Sequence, residues 1–498
     1  MVPHAARAER PLTADAPPPI SILDLDAAEA WCTAHGLQPM HLRAVYRSVF
    51  RDGVGLDPSA LSRAGVPARV AAELCARFVA CGSRVVESRE SAGGGRKLLV
   101  ELGSGARVET VLIRHERAST GRARHTVCVS SQAGCSRRCS FCATGTMGLQ
   151  AQLSAAEIVE QVWLARELIA ADDAVGAEAA PLRNVVFMGM GEPLDNLDAV
   201  LRALRALSHM NLFALSPRQL TVSTVGASAD AIRRLASGAP AVRLALSLHA
   251  ASQPLRAELL PSAAECSLDE LARALDDHAR ASGCGAMLEY LLIAGVNDRR
   301  EDAVALAAFC HARREASGID GAGAFVNLIP YNPTAPGALR GFATPADEAV
   351  RAFHAQLRAA GVNALVRWTS AAGRDTDGAC GQLALGTPAP SVRRARVRMA
   401  LGGDDDGRAL GAGARRSEAW RMEGVKLATV VAELQAALGW AALADATGVR
   451  CFEPVARPTV KSALKFLRAS EHRWARERVE ALWLQRKLAA EAARGQAE

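Results

Sequence analysis

The sequence predicts an α/β fold: a partial (β/α)6 barrel with an N-terminal helical accessory domain and a C-terminal helical appendage. Three observations lead there. Between about residues 126 and 330, short β-branched runs alternate with amphipathic helical segments, the pattern of parallel βαβ units. That alternation follows a stretch with apolar residues at helical spacing and precedes a Pro/Gly-rich break and a basic helical tail. The 498 residues, 50% of them hydrophobic, allow about three domains and a large core.

Taken in order, residues 1–19 are Pro/Ala-rich and end in Pro17-Pro-Pro19, a disordered leader by composition. Residues 20–90 form the helical domain, with Leu42, Val45, Tyr46, Val49 and Phe50 on one face and Gly53, Gly55 and Gly65 as breaks. Its Arg43, Arg47, Arg51, Arg63 and Arg69 would suit a nucleic-acid partner. The core spans residues 91–386. Residues 97–102 and 108–113 predict a hairpin around Gly103-Ser-Gly105. Strands are predicted at 126–129, 185–188, 220–223, 242–247, 287–293 and 325–329. Six units fall short of a closed eight-fold barrel, so the site is expected at the C-terminal strand ends of an open one. Ser154-Ala-Ala-Glu157 is a capping box, and Ile158, Val162, Ala165 and Ile169 line the helix that follows.

Residues 387–423, with Pro388, Pro390, Arg393-Arg-Ala-Arg396 and Gly402-Gly-Asp-Asp-Asp-Gly407, read as a linker. Residues 424–490 are a small helical domain. From Arg457 to Glu498 ten Lys/Arg face five Glu, a surplus of +5. Lys461, Lys465, Arg468, Arg473 and Arg476 are its candidate contacts to nucleic acid.

The net charge of +7 allows an anionic partner without requiring one. The N-terminus lacks an apolar signal core, and no run of about 18 apolar residues occurs, so neither secretion nor membrane spanning is expected. Twelve cysteines are too sparse for a disulfide scaffold and cluster as metal ligands do, which fits a reducing cytoplasm.

The densest cluster is Cys135, Cys139 and Cys142, spaced C-x3-C-x2-C, with Cys128 seven residues upstream and Phe141 before the last cysteine. Three thiolates leave one iron of a four-iron cluster without a protein ligand, and chemistry happens at such open positions. A zinc loop completed by a distant His or Cys is the alternative that three cysteines leave open. A second motif, Val185-Val-Phe-Met-Gly189-Met-Gly191-Glu192-Pro193, lacks the third glycine of a dinucleotide fingerprint. Its carboxylate beside exposed backbone suits an α-amino group. Three more motifs end predicted strands with small polar groups: Ser223-Thr-Val-Gly226, Ser247-Leu248-His249-Ala250 and Asn327-Leu-Ile-Pro330-Tyr-Asn332-Pro333. Ligand contacts sit there in a parallel barrel, although each could be loop capping by itself. Gly378-Ala-Cys380-Gly-Gln-Leu383 places a thiol between small neighbours, which suits close approach by a bulky cofactor.

With these motifs in this order, residues from about 22 to 385 resemble the RlmN/Cfr family of radical S-adenosylmethionine (SAM) RNA methyltransferases. The resemblance implies a radical SAM barrel in which Cys135, Cys139 and Cys142 ligate a [4Fe-4S] cluster. It implies that Gly191, Glu192, Ser223, Ser247, Leu248, His249 and Asn332 contact SAM. Cys380 would be the methylated cysteine, Cys128 its redox partner and Glu109 the base. The implied reaction consumes two SAM. One methylates Cys380, the other yields the radical that activates the S-methyl group, and a Cys128–Cys380 disulfide releases the product. Implied partners are 23S ribosomal RNA, tRNA and a reducing electron donor such as flavodoxin, for a cytoplasmic monomer without a membrane partner.

The implied modification is at C2 of adenosine 2503 in 23S ribosomal RNA and of adenosine 37 in tRNA. C8 methylation of the same ribosomal adenosine, which gives antibiotic resistance, uses the same motifs, and an inactive cluster-bearing RNA-binding protein is a third reading. The chain departs from the family in a longer loop before Cys380, without an Arg before Gly373, and in an insertion at residues 114–122. The tail resembles a small helical bacterial domain thought to bind DNA.

Overall fold

The computed structural model describes residues 19–50, 52, 55–91, 93–116, 123–174, 180–318, 325–368, 378–385, 431–436, 459, 460 and 463. The chain divides into two compact units, residues 1–402 and 403–498. In the second unit, residues 431–436 are helical, and Val431, Leu434 and Ala463 are buried. The leader to residue 18, the linker, Arg51, Lys461, Lys465, Arg468, Arg473 and Arg476 lie outside the described residues.

The first unit opens with β1 (Ile20–Ser21), α1 (Leu25–Ala34), α2 (Pro39–Phe50), α3 (Pro58–Arg63), α4 (Ala68–Arg77) and β2 (Phe78–Val79), which pairs with β1. Asp24 caps α1 by accepting from the Ala27 amide, and Asp57 caps α3 from the Ala60 amide. Leu42, Val45, Tyr46 and Val49 bury one face of α2, while Arg43, Arg47, Arg63 and Arg69 stay exposed.

The central sheet follows. β3 (Arg84–Glu90), β4 (Arg96–Glu101), β5 (Arg107–Glu116) and β6 (Ala123–Cys128) are antiparallel neighbours. The helical reading of residues 20–90 therefore ends at Arg77, and β3 is the edge strand of the sheet. Its charged side chains obscure the strand pattern but pair locally, Arg84 with Glu101 and Arg89 with Glu87. Of the insertion at 114–122, the described residues Arg114, His115 and Glu116 pair with His125, Arg124 and Ala123, and Val111 is paired with Cys128.

After β6 come β7 (Gln132–Cys135) and β8 (Gly148–Gln152), a small antiparallel ladder of their own, and then α5 (Ala155–Ala174). Ser154 and Glu157 exchange the reciprocal capping bonds, and Ile158, Val162, Ala165 and Ile169 are buried. Strand and helix then alternate. β9 (Leu182–Phe187), α6 (Leu197–Ser208), β10 (Leu220–Thr224), α7 (Ala229–Gly238), β11 (Arg243–Ser247), α8 (Gln253–Leu259) and α9 (Leu268–Ser282) come first. β12 (Met287–Leu292), α10 (Arg300–Ser317), β13 (Phe325–Pro330), α11 (Ala335–Leu339), α12 (Asp347–Ala359) and β14 (Ala364–Val366) complete the unit.

The sheet order is β3-β4-β5-β6-β9-β10-β11-β12-β13-β14, parallel from β6 onward. All six expected barrel strands are present, and the short β14 is a seventh. Toward the helices the strands present Val185, Phe187, Val222, Leu244, Leu246, Leu288, Tyr290, Val326 and Leu328, all buried. The opposite face sets polar side chains such as Thr221, Ser223, Ser247, Glu289 and Asn327 among apolar ones, and the candidate site forms there.

Candidate active site

Ladder registers place the site residues. Lys97 pairs with Val111, Leu99 with Glu109, and Val111 with Cys128. Cys128 pairs with Val186, Val186 with Thr221, Ser223 with Ala245, Ser247 with Glu289, and Glu289 with Asn327. Paired residues share a face and every second residue returns to it. Lys97, Glu109, Cys128, Ser223, Ser247, Glu289 and Asn327 therefore line the inner face of the open barrel.

The three-cysteine loop leaves β7 and closes onto β8 through a turn at Thr144–Met147. Cys135 is buried, and Cys139 and Cys142 are half-buried. Burial pushes Cys135 up to about 12, and it raises Cys139 too, reinforced there by the Cys142 and Cys135 thiols. Cys142 is likewise raised by burial, against bonds from Gly145 and Thr144. Such thiols give up their protons when a metal replaces them. Among the described residues no three metal-ligating side chains converge tightly enough to chelate one ion; a cluster that takes one thiolate per iron does not need them to. Arg137 braces the loop from outside, bonded to Asp195 and to Glu265. A cavity of about 510 Å³ lies along the loop, lined by Arg138, Cys139, Thr146, Met147 and Arg340 among others.

The turn after β9 packs directly on the segment before the loop. Gly191 has φ 100°, and a Cβ there would lie 2.5 Å from Gln132 Cβ, so only glycine fits. Ser130 ties three elements together: its hydroxyl donates to Glu109 O and accepts from the Met190 amide, while its amide donates to Gln161 of α5. Glu192 is buried, with its carboxylate accepting from the Leu194 and Val225 amides. Burial pushes it up to about 7, against those hydrogen bonds.

Leu248 and His249 follow β11, and both amides donate to Glu289 O. His249 adopts φ 56° and packs edge-on against Phe141, centroids 5.0 Å apart. Its Nδ1 accepts from the Leu291 amide, and burial pushes it down to about 3. The imidazole is therefore neutral and carries its proton on Nε2. Asn332 is buried beyond β13, its amide donating to Pro330 O.

Residues 378–385 are pinned from three sides. The Ala143 amide donates to Gly381 O, the Thr144 hydroxyl to Leu383 O, and the Ala384 amide to Glu109 Oε2. Cys380, itself exposed, thus sits on a segment tied both to the three-cysteine loop and to Glu109 of the inner face. Burial, Glu289 and Cys142 push its thiol up to about 11. Burial also raises the Cys128 thiol, and Cys380 adds to that effect, so the two thiols lie within electrostatic reach of each other. The longer loop before Cys380, residues 369–377, lies outside the described residues.

Sequence reasoning missed four neighbours. Lys97, in β4, lies 2.9 Å from Glu109 Oε1, both side chains buried. Glu289 accepts from Asn327 Nδ2 at 2.9 Å, and Asn327 accepts from Arg367 Nε at 3.2 Å. Polar residues inside predicted buried strands were the available signal for Lys97 and Glu289. Arg256 of α8, fully buried with Nε and Nη1 unpartnered among the described residues, reads in sequence as an ordinary helix arginine.

Three thiols on one loop, a buried carboxylate facing it and an unpaired buried cation suit a cluster carrying a zwitterionic cofactor. An open parallel barrel with that furniture at its C-terminal strand ends is a radical SAM enzyme, and the profile of the radical SAM superfamily matches residues 129–307. A probable dual-specificity RNA methyltransferase RlmN from Chlorobium chlorochromatii is 38% identical over 375 residues, covering 74% of this chain and 94% of that protein. A dual-specificity RNA methyltransferase RlmN from Sorangium cellulosum is 36% identical over 390 residues, covering 73% and 94%. The crystal structure of a radical SAM methyltransferase from Sphaerobacter thermophilus aligns with a TM-score of 0.62 at 35% identity, covering 74% of this chain and 100% of that one. The chain belongs to the RlmN family of radical SAM RNA methyltransferases. The profile of DNA-binding protein VF530 matches residues 420–484. Among the described residues no helix is long and apolar enough to cross a membrane.

Proposed function

We propose that this enzyme methylates C2 of adenosine in 23S ribosomal RNA, at position 2503, and in tRNA, at position 37, using Cys380 as a methyl carrier. The supporting observation is that the segment bearing Cys380 is hydrogen-bonded both to the three-cysteine loop, through Ala143 and Thr144, and to Glu109 on the face that carries Cys128. C2 of adenine is electron-poor and does not attack an electrophilic methyl group, so a polar transfer fails. When bound by Cys135, Cys139 and Cys142, a [4Fe-4S] cluster with SAM supplies a radical able to remove hydrogen from an S-methyl group.

This chain's residues do the rest. Glu192 holds the α-amino group of SAM, and Gly191, Ser223, Ser247, Leu248, His249 and Asn332 position the remainder. Cys380 loses its proton, accepts one methyl group as a thioether and carries that carbon to the base. The radical adduct gives up one electron, for which an oxidised cluster held by Cys135, Cys139 and Cys142 would be the acceptor, and Glu109 accepts the ring proton. Cys128 then attacks the Cys380 sulfur, so that the C–S bond breaks as the disulfide forms, its electron pair stays with the product carbon, and a proton completes the methyl group.

We assign the helices within residues 20–90, with exposed Arg43, Arg47, Arg63 and Arg69, to RNA contact. The domain at 424–490 adds sequence-independent affinity. A reducing donor such as flavodoxin uses the cleft beside Cys139, Arg138 and Arg340, and the enzyme works as a cytoplasmic monomer. The test is mass spectrometry of RNA from cells expressing the chain. 2-Methyladenosine is expected, and exclusive 8-methyladenosine would overturn the C2 assignment.

A further inference from the structure

We propose that Lys97 is a positioning residue for the methyl carrier: its ion pair with Glu109 docks the segment that bears Cys380, so the pair acts while Cys380 is being loaded, before any RNA is present. The inference rests on the carrier reading under Proposed function and gives Glu109 a second task there. Lys97 and Glu109 come from adjacent strands. Leu99 pairs with Glu109, and Lys97, two residues before Leu99 on the same face, is the diagonal neighbour of Glu109. Lys97 Nζ lies 2.9 Å from Glu109 Oε1, and Oε2 accepts from the Ala384 amide at 2.9 Å. Lys97 thus engages one oxygen while the other holds residue 384, four beyond Cys380. The backbone of Glu109 is fixed as well, its carbonyl accepting from Ser130 Oγ and its amide donating to Met190 Sδ at 3.3 Å.

Two features separate this contact from ordinary packing. An apolar pair of similar volume stabilises a buried wall as well as an ion pair does, or better, so stability alone does not call for charges on this face. The other bonds from the segment to its surroundings join uncharged groups: the Ala143 amide to Gly381 O, the Thr144 hydroxyl to Leu383 O and Gln382 Nε2 to Pro333 O. Ala384 meets a carboxylate, and a hydrogen bond to a charged acceptor is about twice as strong as one between neutral groups. Within the segment the Gln382 amide donates to Ala379 O and the Ala379 amide to Gln382 Oε1, which folds Cys380 and Gly381 into a closed turn with Gly381 at φ 83°. Holding Ala384 therefore holds the turn that carries the sulfur.

Loading needs that placement. The Cys380 sulfur, as thiolate, attacks the methyl carbon of SAM. The new C–S bond forms as the sulfonium C–S bond breaks, the electron pair stays on the SAM sulfur, and the thiol proton goes to water, since Cys380 is exposed. Displacement of this kind is steeply sensitive to where the nucleophile stands. No ring proton exists at this stage, so Glu109 acts there as a dock and not as a base.

The test follows loading alone. Full-length wild type, K97M, E109Q and K97M/E109Q are made under iron limitation, so that Cys380 starts unmethylated, then reconstituted anaerobically and mixed with trideuteromethyl SAM without RNA. Peptide mass spectrometry reads the label on Cys380, with iron content, SAM affinity and thermal unfolding measured alongside. K97M and E109Q should each load about tenfold or more slowly at equal SAM occupancy. In K97M the carboxylate loses the cation that orients it, and in E109Q the carboxamide NH2 must oppose either the Lys97 ammonium or the Ala384 N–H. K97M/E109Q should regain most of the loading rate, since the amide oxygen can face Ala384 with its NH2 turned toward residue 97. It should still methylate no RNA, because the base is gone. Hydrogen exchange of residues 381–385 should be faster in each single variant and return toward wild type in the double. Loading at the wild-type rate in K97M and E109Q would confine Glu109 to the ring proton and overturn the proposal. Loading that follows thermal stability while exchange at 381–385 stays at the wild-type level would make the pair a packing element and overturn it too. Should a single variant fail to fold, K97M/E109L, an apolar pair without an acceptor, is compared with K97M/E109Q, and equal loading by the two overturns the proposal. Wild type that holds iron and binds SAM yet gains no label on Cys380 would instead overturn the carrier reading itself.

Discussion

The Lys97 ammonium lies 2.9 Å from the Glu109 carboxylate, and both side chains are buried on the face of the sheet that carries Cys128. The other Glu109 oxygen accepts from the Ala384 amide, so one carboxylate joins the antiparallel strands to the segment bearing Cys380. K97M removes the cation and leaves the buried carboxylate behind. It should destabilise the protein by about 3–5 kcal/mol, and the double variant K97M/E109Q should recover much of that. Chemical denaturation of wild type, K97M, E109Q and K97M/E109Q checks this; additive losses would show that the pair does not act as a unit.

Substitution at Gly191 tests how closely the β9 turn must approach the segment before the cluster loop. In G191A the new Cβ meets Gln132 at a position where φ is already 100°. A loss of about 1–3 kcal/mol is expected, together with weaker SAM binding, because Glu192 is the next residue. Thermal unfolding and equilibrium binding measure the two effects separately. A variant of wild-type stability and affinity would mean that the turn has room.

Glu289 gives the protein a pH signature. Burial pushes its carboxyl up to about 7, against the Asn327 hydrogen bond and Arg367, from an ordinary value of 4.5. The folded chain thus holds this proton more tightly than the unfolded chain. The stabilisation is present at low pH and fades as pH rises from about 4.5 through 7. Between pH 6 and 8 the wild type should lose about 1 kcal/mol more stability than E289Q, which cannot ionise. Denaturant titrations at the two pH values decide it, and identical slopes would refute the assignment.

The strands and the site residues were not equally legible in sequence. The six barrel strands were readable because strands buried on both faces become β-branched runs, as in Leu220–Thr224, where every residue is buried. β3 was missed because it is an edge strand whose charges hide the alternation, and β14 because three residues carry no periodic signal. The cysteines, Glu192 and the polar strand ends were legible as motifs. Lys97 and Arg256 were not, since the partners that bury them, Glu109 and the Val225 carbonyl, come from other segments of the chain. The insertion at 114–122 reads in sequence as a disturbance between Glu109 and Cys128, yet the ladder from Val111–Cys128 to Glu116–Ala123 keeps one unbroken register.

On the proposed ligand set, cluster binding should depend on each of the three loop thiols. Reconstituted wild type should hold about four irons, and Cys135→Ala, Cys139→Ala and Cys142→Ala should each lose the cluster and SAM cleavage. Iron content and visible absorption report this directly. One tightly bound zinc, with no iron-sulfur absorption from anaerobic preparations, would favour the zinc loop instead.

The methyl-carrier role proposed for Cys380 and the release role proposed for Cys128 meet in one experiment. With Cys128→Ala the carrier still loads and the carbon still reaches the base, but no thiol displaces the product. A denaturing gel of protein from RNA-replete cells should then show a nuclease-sensitive protein–RNA adduct in Cys128→Ala. The same gel should show none in the double variant with Cys380→Ala, and Cys380→Ala alone should keep its cluster and make no methylated RNA. Full RNA methylation by Cys380→Ala would contradict the account.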